Sequence, residues 1–255
     1  MQYNIEPIAP PGVHEKVLDL ALKLPGTAFL DVPTGYGALT EKLLASGKVV
    51  TAGDIDTEKF KGLCKHAGLT LIRLDLNETL PLPDNQFDIA ISVEGIEHLQ
   101  SQWNFVRSIH RVLKPGGHLI LTTPNILNIR SRLRFFMEGR FEHFKRPLVK
   151  GISWVRDIEN YHIAPVSFFE IQFMLKSVGF DIIHIHTNRY AEKNIFTVAL
   201  RPLFVLFYNS KNRRDARRER GDYSELYKLI LSDEIFFGEC LIIVAQKQKT
   251  PVTTR

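Results

Sequence analysis

Residues 29–41 read FLDVPTGYGALTE, and the rest of the chain is organised around them. An apolar run ends in Asp31, a tight turn carries Gly35 and Gly37, and Ala38, Leu39, Leu43 and Leu44 follow at helical spacing. The pattern is a strand, a glycine turn and a helix start. In a doubly wound sheet this arrangement sets bare backbone N–H groups and a helix N-terminus at the carboxyl end of the first strand, where glycines let a ligand approach the backbone.

The stretches that follow repeat the theme. KVVTAGDI (48–55) reads as the next strand and ends at Asp54, about twenty residues after the glycines, where a carboxylate can accept from both hydroxyls of a ribose. LTLIRLDL (69–76) ends with Asp75, and FDIAISVEG (87–95) with Glu94. Successive strands thus carry a carboxylate at the edge where open α/β sheets bind ligands.

These residues resemble the class I S-adenosylmethionine-dependent methyltransferases. The family's first motif is acid-x-G-x-G-x-G, and Asp31 to Gly37 follow it except at Pro33, where the first glycine stands. Proline fixes φ and has no N–H, so the turn must form without that donor. The runs FDIAISVEGIEHLQ and HRVLKPGGHLILTTPN (110–125) resemble the family's fourth and fifth strands. The resemblance implies a mostly parallel seven-stranded sheet, an S-adenosylmethionine site and a cap after strand five. It also implies that Asp31 and Gly35 face the methionine portion, Asp54 the ribose, and Asp75 with Leu76 the adenine. Pro33, Gly37, Ile55 and Glu94 complete the implied cofactor set.

The segment Glu94-Gly-Ile-Glu97-His98 resembles the E-x-x-E-H pattern of the quinone-biosynthesis O-methyltransferases, where it is linked to a divalent cation near a phenolic acceptor. Three readings stay open. Glu94, Glu97 and His98 hold Mg²⁺ or Mn²⁺, which would lower the acceptor's pKa; or His98, with Glu94 beside it, is a metal-free base; or the trio is structural. His162, in ENYHIAP, lies where the family's acceptor-side loop falls and is a further catalytic candidate, with Trp154 and Tyr161 nearby.

Bulk properties narrow the class. The chain has 255 residues, 44% hydrophobic and 24% charged, which fits one globular α/β domain with additions. Cys64 and Cys240 make no disulfide framework, and neither a signal pattern nor a spanning segment is evident, so a cytoplasmic enzyme is expected. A net charge of +5 with 33 basic against 28 acidic residues is no nucleic-acid signature. The amide-methylating tetrad is absent, Ser92-Val93-Glu94-Gly95 standing in its place. A small-molecule or lipid-like acceptor, methylated at oxygen, is the leading reading. A macromolecular acceptor and a non-catalytic cofactor-binding scaffold are the alternatives.

Taken in order, the spacing predicts an extended lead-in over 1–12, a helix over 14–24, and strands over 27–32, 48–54, 69–75, 87–93 and 118–123. Helices are expected over 38–46, over 57–66, and through residue 113, where Pro115-Gly116-Gly117 should stop the last. Residues 14–125 form the expected cofactor-binding core, 126–166 a cap, and 167–255 the part that completes the sheet. Seven Lys or Arg lie between Arg130 and Lys150, interleaved with phenylalanines. That segment reads as a lid holding an anionic acceptor, as an interfacial helix on a membrane, or as a solvated helix with a buried aromatic stripe. Ser167 with Glu170 is a capping box, and that helix should end at Gly179. The apolar run 195–208, interrupted by Arg201-Pro202, reads first as packing against the cap or a second subunit and second as a candidate for peripheral membrane contact, and 211–222 reads as an exposed loop or helix end. A short helix near 223–231 and strands over 180–187 and 239–247 finish the chain, the strands pairing antiparallel at the sheet edge.

Overall fold

The computed structural model describes residues 9–58, 66–144, 161–190, 193–218 and 223–249. The predicted helix over 57–66 and Trp154 fall wholly or largely outside them, as does the second half of the predicted cap.

Among the described residues the strands form one sheet in the order β3-β2-β1-β4-β5-β7-β6. They are β1 (Ala28–Asp31), β2 (Val49–Asp54), β3 (Leu69–Arg73), β4 (Phe87–Ser92), β5 (Leu113–Pro124), β6 (Phe180–Thr187) and β7 (Cys240–Lys247). The pairs from β3 to β5 are parallel, and β7 runs antiparallel to both β5 and β6. The expected antiparallel pair is present, with the last strand inserted between β5 and β6.

Both faces of the sheet are covered, which is why its central strands are nearly continuously apolar. Alternation along β1 splits its residues between two cores. Leu30 joins Phe105 and Ile109 of α3 (Gln102–Val112) and Phe168 and Ile171 of α5 (Phe168–Val178) on one face. Phe29 joins Val13 and Val17 of α1 (Val13–Lys23) and Leu39 and Leu43 of α2 (Ala38–Ala45) on the other. Each such side chain, fully buried, stabilises the fold by about 1.5–3 kcal/mol. The predicted box starts α5, with the Ser167 amide and hydroxyl both donating to Glu170, and Gly179 ends it at φ 98°.

Two expectations need correcting. Strand five begins at Leu113 rather than 118, because Leu113 already pairs with Phe87, and the Lys114–Gly117 segment is taken up as a register shift before Ile89 meets His118. The apolar run does not break at Pro202, which lies inside one helix, α6 (Ile195–Arg217). Arg201, just before it, ties that helix down by donating to Asp233 (2.6 Å) and to the Leu231 carbonyl. The charged run continues α6 as far as Arg217, so the helix-end reading holds for its described part. Two short helices follow, α7 (Ser224–Ile230), as expected, and α8 (Asp233–Phe237), which apolar periodicity could not reveal in five residues.

Candidate active site

A cleft of about 1260 Å³ opens at the carboxyl ends of β1, β2 and β4, where the strand order reverses. Asp31, Pro33, Gly35, Asp54, Ile55, Asp75, Leu76, Glu94, His98 and His162 all line it.

The first turn is built around two buried carboxylates. Asp31 accepts hydroxyl hydrogen bonds from Thr40 (2.6 Å) and Thr34 (3.1 Å). Burial pushes its pKa up to about 6; the two threonines oppose the shift and the nearby Asp54 charge adds to it. Asp54 accepts from the Gly35 amide (3.0 Å) and from that of Asp56 (3.0 Å), so the loop after β1 and the end of β2 hold each other. Gly35 and Gly37 have φ of 55° and 83°, a region that disfavours a side chain. The expected row of bare N–H groups is only partly there. The Gly35 amide is committed to Asp54 and that of Gly37 to the Thr34 carbonyl (3.0 Å). Pro33, lacking an N–H, packs against Gly95, where an added Cβ would lie 2.4 Å from the proline ring. Glycine at 95 is what lets the two loops touch.

Asp75 and Leu76 reach the cleft on the loop after β3, and the Asp75 carboxylate accepts from the Asn77 amide (2.9 Å). Asn77 in turn accepts from the amides of Gln100 (2.8 Å) and Ser101 (3.0 Å), fastening this loop to the segment after β4.

That segment carries the chemistry. Glu94 sits at φ 48°, in the left-handed region where a non-glycine residue costs on the order of 1–3 kcal/mol. Thr122 of β5 holds it there, accepting from the Glu94 amide (3.0 Å) and donating to its carboxylate (2.8 Å). Replacing Thr122 by valine keeps the shape and removes both bonds. Loss of about 1–3 kcal/mol is expected in a denaturant melt, since a buried amide is left unpaired.

Residues 96–98 form a single 3-10 turn that turns Glu97 inward and leaves His98 on the cleft wall. Glu97 is fully buried; one carboxylate oxygen accepts from Thr123 (3.1 Å), and the other has no hydrogen-bond partner among the described residues. Burial, and then the charge of Glu94, pushes its carboxyl well above the usual range. The His98 Nδ1 lies 3.0 Å from the Tyr161 carbonyl oxygen. A carbonyl can only accept, so Nδ1 carries the proton and Nε2 the lone pair. His162 packs edge-on against His98, ring centroids 4.8 Å apart, and its Nδ1 is buried without a partner among the described residues. Burial, with repulsion from His98 and His143, lowers its pKa to about 4, so this imidazole is neutral.

The expected metal trio is not what the chain brings together. Among the described residues, Glu97, His98 and His162 place one ligand atom each within 4.8 Å of the others, and Glu94, drawn to Thr122, is outside the group. Two imidazoles with a single carboxylate do not suit a hard cation, which prefers oxygen, so Mg²⁺ is not supported. Sequence reasoning missed His14, Tyr36, Arg73, Asn77, His143 and Cys240 on the cleft wall. Tyr36 stands at an unspecified position of the glycine motif, and the others lie in no motif. His14 arrives on α1 and Cys240 on β7, and no local signal ties either to a strand end so distant in sequence.

Comparison with known proteins agrees with this geometry. A family model described as "Methyltransferase domain" matches residues 30–121. The chain is 30% identical over 173 residues to the Ubiquinone biosynthesis O-methyltransferase of Vibrio vulnificus, covering 59% of this chain and 74% of that one. It is 28% identical over 151 residues to a Ubiquinone/menaquinone biosynthesis C-methyltransferase of Escherichia fergusonii, covering 55% and 51%. Among solved structures, an S-adenosylmethionine dependent methyltransferase from Mesorhizobium loti superposes with a TM-score of 0.55 at 17% identity, over 92% of this chain and 99% of that one, which is a likeness of fold. The glycine turn, the acidic strand ends and the extent of the match to the Vibrio enzyme carry one conclusion: the chain belongs to the S-adenosylmethionine-dependent methyltransferase family.

Proposed function

We propose that the enzyme methylates a hydroxyl of a small-molecule or lipid-like acceptor, with His98 as the general base. The observation that carries this reading is the hydrogen bond from His98 Nδ1 to the Tyr161 carbonyl, which turns a lone-pair nitrogen to the side chain's outer end on a cleft wall. Similarity to a quinone-biosynthesis O-methyltransferase supports a phenolic hydroxyl as the acceptor class.

The residues present suit the cofactor: carboxylates at two adjacent strand ends, a loop free of side-chain bulk at Gly35, and Asp75 with Leu76 on the far wall. Bound there, S-adenosylmethionine supplies an electrophilic methyl group. Asp54 and Ile55 would hold its ribose, Asp75 and Leu76 its adenine, and Asp31 its ammonium. Pro33 and Glu94 shape the wall between them, while Gly37, predicted for the same set, does not line the cleft and caps the start of α2. His98 takes the acceptor's proton through Nε2, keeping Nδ1–H on Tyr161, so no tautomer change is needed before transfer. His162, edge-on against His98, holds the imidazole in place.

Calorimetry tests the cofactor half. Asp31 must be ionised to hold an ammonium, and its carboxyl titrates at about 6. Affinity for S-adenosylmethionine should therefore be level above that pH and fall by about tenfold per unit below it. A flat profile from pH 5 to 8 would remove Asp31 from the cofactor's charged end.

A further inference from the structure

We propose that the outer face of α6, with the adjoining end of α4 (Ile129–Glu138), docks on an anionic lipid surface. α6 is apolar outward for its first half, where Ile195 is 89% exposed, Phe196 64%, Leu203 62%, Leu206 65% and Phe207 56%. Soluble proteins rarely leave so many large apolar side chains together in water unless something covers them. Over its last turns the same face changes character, presenting Arg213, Arg214, Arg217 and Arg218, all exposed.

The charge pattern selects the occupant. The only acid within α6 is Asp215, which is half-buried and accepts from the Tyr227 hydroxyl (3.3 Å). A second copy of this face would bring apolar side chains to the apolar half but no carboxylate to the arginines. An anionic bilayer satisfies both, with aromatic and leucine side chains at the acyl boundary and guanidinium groups on phosphates. The first fourteen residues span about 21 Å, and no helix of the described residues is long and apolar enough to cross a membrane, so the helix would lie in the interface.

A second helix extends the surface. On α4, Phe136 and Met137 are 83% and 77% exposed. Arg132 locks α4 to α6, its guanidinium 5.2 Å from the Phe204 ring centroid and its Nη1 donating to the Tyr208 hydroxyl (3.4 Å). Both helices meet α8 in a small apolar cluster, Ile129 with Phe236 and Phe237 and with Leu200 and Phe204 of α6. α4 begins just after Pro124, which ends β5 and lines the cleft. Docking there would bring the acceptor side of the cleft to the lipid, and this deepens the reading of a lipid-like acceptor, on which it rests for its purpose.

The test is flotation of the whole chain with vesicles of phosphatidylcholine alone or of equal parts phosphatidylcholine and phosphatidylglycerol. Binding to the mixed vesicles only, weakening as salt rises, is expected. Two variants separate the components. Leu203→Glu with Phe207→Glu should lower partitioning by about 100-fold, and Arg213→Gln with Arg214→Gln by about tenfold. Cofactor affinity, measured on the same samples, should be unchanged, which also shows that the variants fold. Failure of folded wild-type protein to bind the mixed vesicles overturns the proposal, as does wild-type binding by the double glutamate variant. A wild-type dimer that this variant dissociates, with no vesicle binding, would assign the face to a second copy instead. Loss of cofactor binding in the wild type would sink the methyltransferase site without touching the vesicle result.

Discussion

Replacing His98 with alanine is expected to lower the rate of methyl transfer by about 10²–10⁴-fold, with cofactor affinity unchanged. The size follows from the loss of the base, and the specificity from geometry. Nδ1 donates to the Tyr161 carbonyl, so Nε2 is the ring nitrogen that carries the lone pair. Its neighbours should matter less. His162 is already held neutral with a pKa near 4, too weak a base to substitute, and burial raises the Glu97 carboxyl well above its usual range. Glu97→Gln keeps the buried side chain's shape and an acceptor for Thr123, and should leave most of the rate in place. His162→Ala should loosen the imidazole and raise KM more than it lowers kcat. Chelators should have no effect. A rate that collapses equally on Glu97→Gln and on chelation would show instead that Glu97, His98 and His162 act together on a metal ion.

The second large effect is expected at Asp54. Each hydrogen bond from a ribose hydroxyl to this carboxylate is worth about 1.5–3 kcal/mol, so Asp54→Ala should weaken cofactor binding by on the order of 100-fold or more. Part of that loss is indirect, because the same carboxylate receives the Gly35 amide and fixes the glycine loop. Asp54→Asn keeps one acceptor for that amide and separates the two contributions; it should recover loop order, seen in amide exchange, but only part of the affinity. Calorimetry with S-adenosylhomocysteine measures both variants, and equal affinity in all three proteins would take Asp54 out of the site.

The core of the fold was legible because its signals are local. Continuous apolar strands ending in Asp31 and Asp54, and a third with Glu94 two residues beyond its end, required only a period and a turn to be read, and Ser167 with Glu170 announced a helix start that the structure contains. What escaped depended on tertiary contacts. Arg201-Pro202 interrupts the apolar run in sequence, yet α6 runs through it, held by Arg201 against Asp233 thirty-two residues later in the chain. Leu113 was taken for the end of a helix, and only its pairing with Phe87 makes it the start of β5. Within the site, Glu94, Glu97 and His98 were adjacent enough in sequence to suggest convergence. A left-handed backbone at Glu94 and two threonines side by side on β5 decide otherwise, drawing one carboxylate to Thr122 and the other to Thr123. His162 joins His98 only because the Tyr161 backbone meets the imidazole, a contact across sixty-three residues that no spacing encodes.

The most direct test of the central claim is a single-turnover experiment with methyl-labelled S-adenosylmethionine and a panel of catechols and quinols bearing alkyl tails. The account predicts that S-adenosylhomocysteine and a singly methylated phenol ether form together, one for one, and that both fall by the same factor in the His98→Ala protein. Tight cofactor binding with no S-adenosylhomocysteine formed above the uncatalysed rate, or with the label recovered on carbon rather than oxygen, would contradict it.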